Sequence, residues 1–218
     1  MSLSICTQLL DWNFGLKEAL PTWLTYPCDE IIIFDWGNGK ESAKEITDQY
    51  TDPRIKLIIG QEKLDYSHTI SRNTSIKYAT SELIFFIDSD IKINKKDMFK
   101  IQENNFIQGS DEICAFGTCI FWKKHFDMIN GFDERMVGCW HFDRDFYERL
   151  TKLNLDRIDF PCNMFQHVDH NTAERVKNFN VKDPSVSRQY NRDISKDSKW
   201  DCSCKQKQIN VKILTKGN

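Results

Sequence analysis

Asp88-Ser89-Asp90 follows directly on the apolar run Leu83–Ile87, LIFFI. Two carboxylates one residue apart at the end of a buried strand repel each other, and a divalent cation relieves that repulsion. A cation held by oxygen ligands, with coordination positions left open, can bridge a diphosphate. The same tripeptide also suits a solvated strand-end turn. Asp35 stands one position past the run Glu30–Phe34, EIIIF, on the same expected sheet edge. A carboxylate there can accept a hydrogen bond from a base or a ribose, or can simply shape the turn before Gly37. In Ser71-Arg72-Asn73, Arg72 offers a guanidinium fork for phosphate or base, or a surface salt bridge. Asp143 and Asp145 fall at an expected helix start, where the helix dipole favours the ionised form. A carboxylate so placed can take a proton from a sugar hydroxyl. N-capping, with Asp145 and Arg149 as an i,i+4 pair, is the structural alternative. His167-Val168-Asp169-His170 supplies a His–x–x–His pair that gains interest as a metal site if His167 lies near Asp90.

Other chemistries lack their signatures. There is no G-x-x-x-x-G-K-[ST], no G-x-G-x-x-G and no G-x-S-x-G, so the P-loop, dinucleotide and nucleophile-elbow fingerprints are missing. The 8 Cys are scattered without a CxxC pair, as expected for reduced structural thiols. Cys202-Ser-Cys204 alone is close enough in sequence to suggest redox or metal chemistry.

The elements that must carry these residues alternate. Leu3–Thr7, Glu30–Phe34, Arg54–Ile59 and Leu83–Ile87 read as strands, and Leu16–Leu24, Ser42–Tyr50 and Thr69–Ala79 as helices. That rhythm predicts an α/β sheet with helices on both faces. Right-handed crossovers then gather the carboxyl ends of the strands on one edge, where ligands bind. Further on, Cys114–Phe121 and Asp159–Phe165 read as strands, with a helix from Asp143 to Lys152 between them.

Net charge is -2 over 218 residues, unevenly spread. Residues 1–169 carry 19 Lys and Arg against 27 Asp and Glu, and residues 170–218 carry 11 against 5. The chain as a whole is not polycationic, which argues against a nucleic-acid partner. The basic tail is either a solvated segment folded back on an acidic body or a lid whose cations face a phosphate ligand. No run approaches the ~20 apolar residues of a membrane span, and the start lacks the layout of a signal peptide. The expectation is a soluble, cytoplasmic protein without a transmembrane segment.

Taken in order, EIIIFDWGNGKES, SRNTSIKYATSELIFFIDSD, INGFDERMVGCWHFDRDFYERL and CNMFQHVDH resemble the nucleotide-sugar glycosyltransferases of the GT-A fold. The likeness is greatest to the inverting family 2 and extends to the galactosyltransferase, chondroitin-polymerase and polypeptide N-acetylgalactosaminyltransferase group. It runs from Leu3 to His170. It implies a Rossmann-like α/β/α sandwich with a mixed, mostly parallel central sheet. Residues 1–92 would form the nucleotide half and 93–170 the acceptor half, with 171–218 as a tail or lid. It further implies transfer of a hexose-type sugar from a UDP-sugar to a hydroxyl of a glycan or other acceptor, with Mn²⁺ or Mg²⁺ as cofactor.

Carried over by motif, Thr7, Asp35, Arg72, Asp88, Ser89 and Asp90 would bind the nucleotide sugar. Asp90, His167 and Asp88 would hold the metal. Asp143 would be the base, with Asp145 as the alternative because Phe142 replaces the usual preceding Glu. Trp122 and Trp140 would line the acceptor site. Two other readings are a non-catalytic module that binds nucleotide or glycan and a sugar nucleotidyltransferase. The latter lacks its Gly-rich basic loop, since that place reads Gln8-Leu9-Leu10-Asp11-Trp12-Asn13.

Overall fold

The computed structural model describes residues 1–62, 64–95, 99–110, 115–161, 163–197 and 199–216. The first half alternates as the apolar runs require: β1 (Leu3–Leu9), α1 (Asn13–Trp23), β2 (Glu30–Asp35), α2 (Lys44–Thr47), β3 (Ile55–Gly60), α3 (His68–Lys77) and β4 (Leu83–Phe86). Then follow β5 (Ile91–Ile93), β6 (Asn105–Gln108), β7 (Cys119–Trp122), α4 (Lys123–Met128), α5 (Phe142–Thr151), β8 (Asp156–Asp159) and β9 (Phe165–His167). The tail adds α6 (Thr172–Val176), α7 (Pro184–Lys196) and β10 (Val211–Thr215).

Eight strands form one mixed, mostly parallel sheet in the order β10-β3-β2-β1-β4-β7-β6-β8, and β5 and β9 form a separate pair. Strands β3, β2, β1 and β4 run parallel, so their carboxyl ends share one edge. Alternation along the buried strands splits the core in two. Leu3, Ile5, Ile31, Ile33 and Phe85 pack under Leu16, Leu20 and Trp23 of α1. Cys6, Ile32, Phe34, Ile84 and Phe86 pack with Ile70 and Ile76 of α3 and Phe146 and Leu150 of α5 on the other face. The result is the expected α/β/α sandwich.

Several elements differ from expectation. The Ser42–Tyr50 helix shrinks to four residues because Gln49 and Tyr50 donate to carbonyls only three residues back, giving turns. The strand expected over Asp159–Phe165 is instead the end of β8 and the start of β9, separated by Pro161, which has no N–H to donate. Of Cys114–Phe121, residues 115–118 form a turn and only Cys119 onward is strand. Cys114 lies outside the described residues, as does Cys162. The tail strand β10 pairs antiparallel with β3, from Val211↔Gly60 to Thr215↔Lys56. Cys202 and Cys204 are free thiols whose Sγ atoms meet backbone carbonyls. Among the described residues no helix is long and apolar enough to cross a membrane.

The turn after β2 passes close to the end of β3. Gly37 has φ +84°, and a Cβ there would fall on the Gly60 carbonyl. Gly37→Ala is therefore expected to cost about 2–3 kcal/mol of folding stability, read as a lowered urea midpoint with an unchanged m-value.

Candidate active site

A cavity of about 700 Å³ opens at the carboxyl edge of the parallel strands. Its two ends are built by different devices.

One end is a cluster of potential metal ligands. Asp90 follows β4 and His167 ends β9. They meet because β5 and β9 pair antiparallel in a register that sets Ile91 opposite His167, and Val168 N–H closes the ladder on the Asp90 carbonyl at 2.8 Å. His170 comes from the turn beyond. Each of Asp90, His167 and His170 offers one ligand atom, and these atoms all lie within 4.8 Å of one another. His170 Nε2 is 3.1 Å and His167 Nε2 3.7 Å from Asp90 Oδ2. Trp12 Nε1 donates to the same oxygen at 3.2 Å. Burial raises the Asp90 pKa, but the two imidazoles and the indole outweigh it and hold the carboxyl below its ordinary value. One carboxylate and two imidazoles, already converging, fit a divalent transition-metal ion with positions left for oxygen ligands.

The other end is organised by Arg72. Ser67 caps α3 by accepting from Ile70 N–H, and Arg72 follows one turn in, 2% exposed. Its guanidinium donates to Asp88 Oδ1 at 2.8 Å and to Asp143 Oδ1. The rings of Phe86, Phe132 and Phe142 surround it at 4.7, 5.1 and 4.9 Å. Burial works against its charge, and the carboxylates of Asp143 and Asp88 more than restore it. A Cβ on Gly117 would strike both Asp88 and Arg72, so a larger residue there would have to displace this pair. The neighbouring Asn73 holds Phe132, donating to its carbonyl at 2.9 Å and accepting from its N–H at 2.8 Å. That bond fixes the Gly131–Glu134 turn against α3.

Asp143 enters from the first turn of α5. The two residues before the helix, Trp140 and His141, hold left-handed backbone at φ 76° and 74°, a conformation that costs energy in bulky residues. The tail fixes this loop. Asn191 of α7 donates to the Val137 and Trp140 carbonyls at 2.9 Å each and accepts from Val137 N–H at 2.9 Å. Ser187 Oγ donates to the Cys139 carbonyl at 2.8 Å.

Of the residues singled out from the sequence, Arg72, Asp88, Ser89, Asp90, Trp140, Asp143 and His167 line the cavity. Four others are placed elsewhere. Thr7 is wholly buried inside β1, and its neighbour Gln8 lines the cavity instead. Asp35 accepts from Gly37 N–H at 2.9 Å and Ala43 N–H at 2.8 Å, and so shapes the turn after β2. Asp145 points away, held by Arg149 at 2.8 Å and Ser195 Oγ at 2.8 Å. Trp122 pairs with Leu83 at the start of β4, the edge opposite the cavity, because β7 runs antiparallel. Asp88 is joined to Arg72 and stands outside the ligand cluster, whose third member is His170. Trp12, Tyr66 and His68 also line the cavity without having been singled out. Only the turn position of Trp12 after β1 could have flagged it.

The family model for glycosyl transferase family 2 matches residues 15–173. The chain belongs to this family. No curated protein sequence matches it. Among solved structures it is similar to mannosyltransferase PcManGT from Pyrobaculum calidifontis in complex with GDP-Man and Mn²⁺, with 13% identity and TM-score 0.64 over 78% of this chain and 57% of that one. It is similar to the catalytic domain of Drosophila β1,4-galactosyltransferase 7 in complex with xylobiose, with 12% identity and TM-score 0.66 over 100% of this chain and 95% of that one. A third is S. aureus TarS 1–349 in complex with UDP-GlcNAc, with 16% identity and TM-score 0.65 over 81% and 61%. These likenesses share the GT-A fold. The chain spans little more than half of the mannosyltransferase.

Replacing Arg72 by Met would leave two carboxylates facing an aromatic wall without their cation. A loss of about 3 kcal/mol in unfolding free energy is expected. Arg72→Lys would recover only part of it, since a point charge lacks the fork that reaches both acids.

Proposed function

We propose that the chain is a metal-dependent glycosyltransferase that moves a hexose-type sugar from a nucleoside-diphosphate sugar to a hydroxyl of a glycan or similar acceptor. The carrying observation is that the Asp90–His167–His170 cluster and Asp143 share one cavity at the carboxyl edge of the sheet. Residues 1–92 supply the nucleotide half, residues 93–170 the acceptor half, and the tail closes over both. UDP is the proposed nucleotide. Its support is the family resemblance and the UDP-GlcNAc complex of TarS, since the Asp35 carboxylate at the end of β2 is taken up by the turn that follows and does not line the cavity. GDP is the alternative, as in the mannosyltransferase complex.

Asp90, His167 and His170 would hold the cation. Two imidazoles in a set of three favour Mn²⁺ over Mg²⁺, which prefers oxygen ligands and its own waters. When bound, the ion supplies positive charge against the departing diphosphate. The remaining work falls to the chain itself. Asp88, anchored by Arg72, would contact the ribose. Asp143 takes the proton from the acceptor hydroxyl as that oxygen attacks the anomeric carbon and the bond to the diphosphate breaks. Attack from the face opposite the leaving group inverts the configuration. Arg72 holds Asp143 in position, so the step is positioning plus electrostatics without a covalent intermediate.

The test is a screen of UDP- and GDP-sugars with Mn²⁺ for transfer or hydrolysis, with Asp143→Asn alongside. The variant should lose about 10²–10⁴-fold in transfer rate while its UDP affinity stays within about threefold. Transfer by the variant at the native rate would remove Asp143 as the base.

A further inference from the structure

The sequence contains nine arginines, and the structure describes the side chains of eight. Five of them, Arg54, Arg72, Arg135, Arg149 and Arg157, are each ion-paired with a carboxylate. Arg144, Arg188 and Arg192 form no ion pair with any described carboxylate, yet all three line the cavity. Among the described arginine side chains, the three without an ion pair all line the cavity.

Their placement is also specific. Arg188 and Arg192 stand one turn apart on α7. The Arg188 guanidinium lies 4.9 Å from the centre of the Trp140 ring, a cation–π contact that orients its plane. The interleaved Ser187 and Asn191 are fully buried and lock α7 onto the 137–140 loop through the bonds described above. Arg144 comes from a different element, α5, next in sequence to Asp143. Burial lowers the His141 pKa, and Arg144 and Arg192 push it the same way against Glu148 and Asp145, which places both arginines around this loop. Arg188 thus lies over Trp140 and Arg144 stands beside Asp143 in the first turn of α5. Three like charges around one mouth repel each other, and a bound anion with several acceptor oxygens relieves that repulsion through charge-assisted hydrogen bonds.

We propose that Arg144, Arg188 and Arg192 select an acceptor that carries an anionic group, a carboxylate or a phosphate ester, so that the acceptor is an acidic saccharide. The inference rests on the reading of Asp143 as the acceptor-side base. It gives the tail helix a defined role, because α7 contributes two of the three cations and holds the loop on which they act.

The probes are phenyl β-glucoside, phenyl β-glucuronide and phenyl β-glucoside 6-phosphate. Each is titrated calorimetrically into the native protein with UDP and Mn²⁺ and again without them. At least one acidic probe should bind about tenfold or more tightly than the neutral glucoside, and which one does so distinguishes carboxylate from phosphate. The Arg188→Gln/Arg192→Gln double variant should lose that preference and bind the neutral probe as the native protein does. Arg144→Gln, on a separate element, should lose part of it. No preference in the native protein, including no binding of any probe, overturns the proposal. So does a preference that survives in the double variant. A tenfold or greater fall in UDP affinity in that variant would assign the arginines to the donor diphosphate instead, and would also overturn it. Failure of UDP to bind the native protein contradicts the donor reading alone, since the titrations without nucleotide still compare acidic with neutral probes.

Discussion

A single buried cation joins the halves of this molecule. Arg72 lies in the first part of α3, behind three phenyl rings, with one carboxylate from the end of β4 and one from the start of α5. Little water reaches it, so its charge depends on both acids remaining in place. That requirement explains several neighbours. Gly117 leaves room for the pair, Asn73 fixes the Phe132 turn behind it, and α5 must begin where Asp143 can reach. The carboxyl edge of the sheet and the start of α5 are therefore set relative to each other by electrostatics as much as by packing.

The second constraint is a two-stranded ladder outside the main sheet. Pairing of β5 with β9 brings together residues 77 positions apart in sequence, and its register decides that Asp90 meets His167. A slip of one residue would turn the imidazole to the other face. The tail adds a third layer of support. β10 extends the sheet beyond β3, and α7 holds the left-handed backbone at Trp140 and His141 through Asn191. Strain of that kind persists where surrounding bonds over-determine it. Of the tail's basic residues, Arg188 and Arg192 line the cavity, and Lys216, just past β10, pairs with Asp48.

The legible parts of the sequence were those with local physical causes. EIIIF and LIFFI are buried on both faces and read as strands with nearly their final bounds, and the carboxylates just after LIFFI had to lie at the ligand edge. Other positions depended on information that spacing does not carry. Thr7 and Gln8 are adjacent on β1, and alternation sends one inward and the other to the cavity. Trp122 depended on the direction of β7, which no local pattern reveals. Asp143 and Asp145 are two residues apart on a helix and so point to different sides, one to Arg72 and the other to Arg149 and Ser195. Asp35 had a turn to complete. β10 depends on pairing with a distant strand and left no local signature, whereas α7 carries a readable helix start in Asp183-Pro184 and an amphipathic pattern that a reading of the tail by charge alone passes over.

The central claim is that Asp90, His167 and His170 together form a cation site that recruits a nucleoside diphosphate. Calorimetric titration of UDP, with and without Mn²⁺, into the native protein and into Asp90→Ala and His170→Ala tests it most directly. The account predicts metal-dependent UDP binding by the native protein that both variants lose. UDP binding of equal strength without metal, or retained in both variants, would contradict it, as would the absence of binding by UDP and GDP alike.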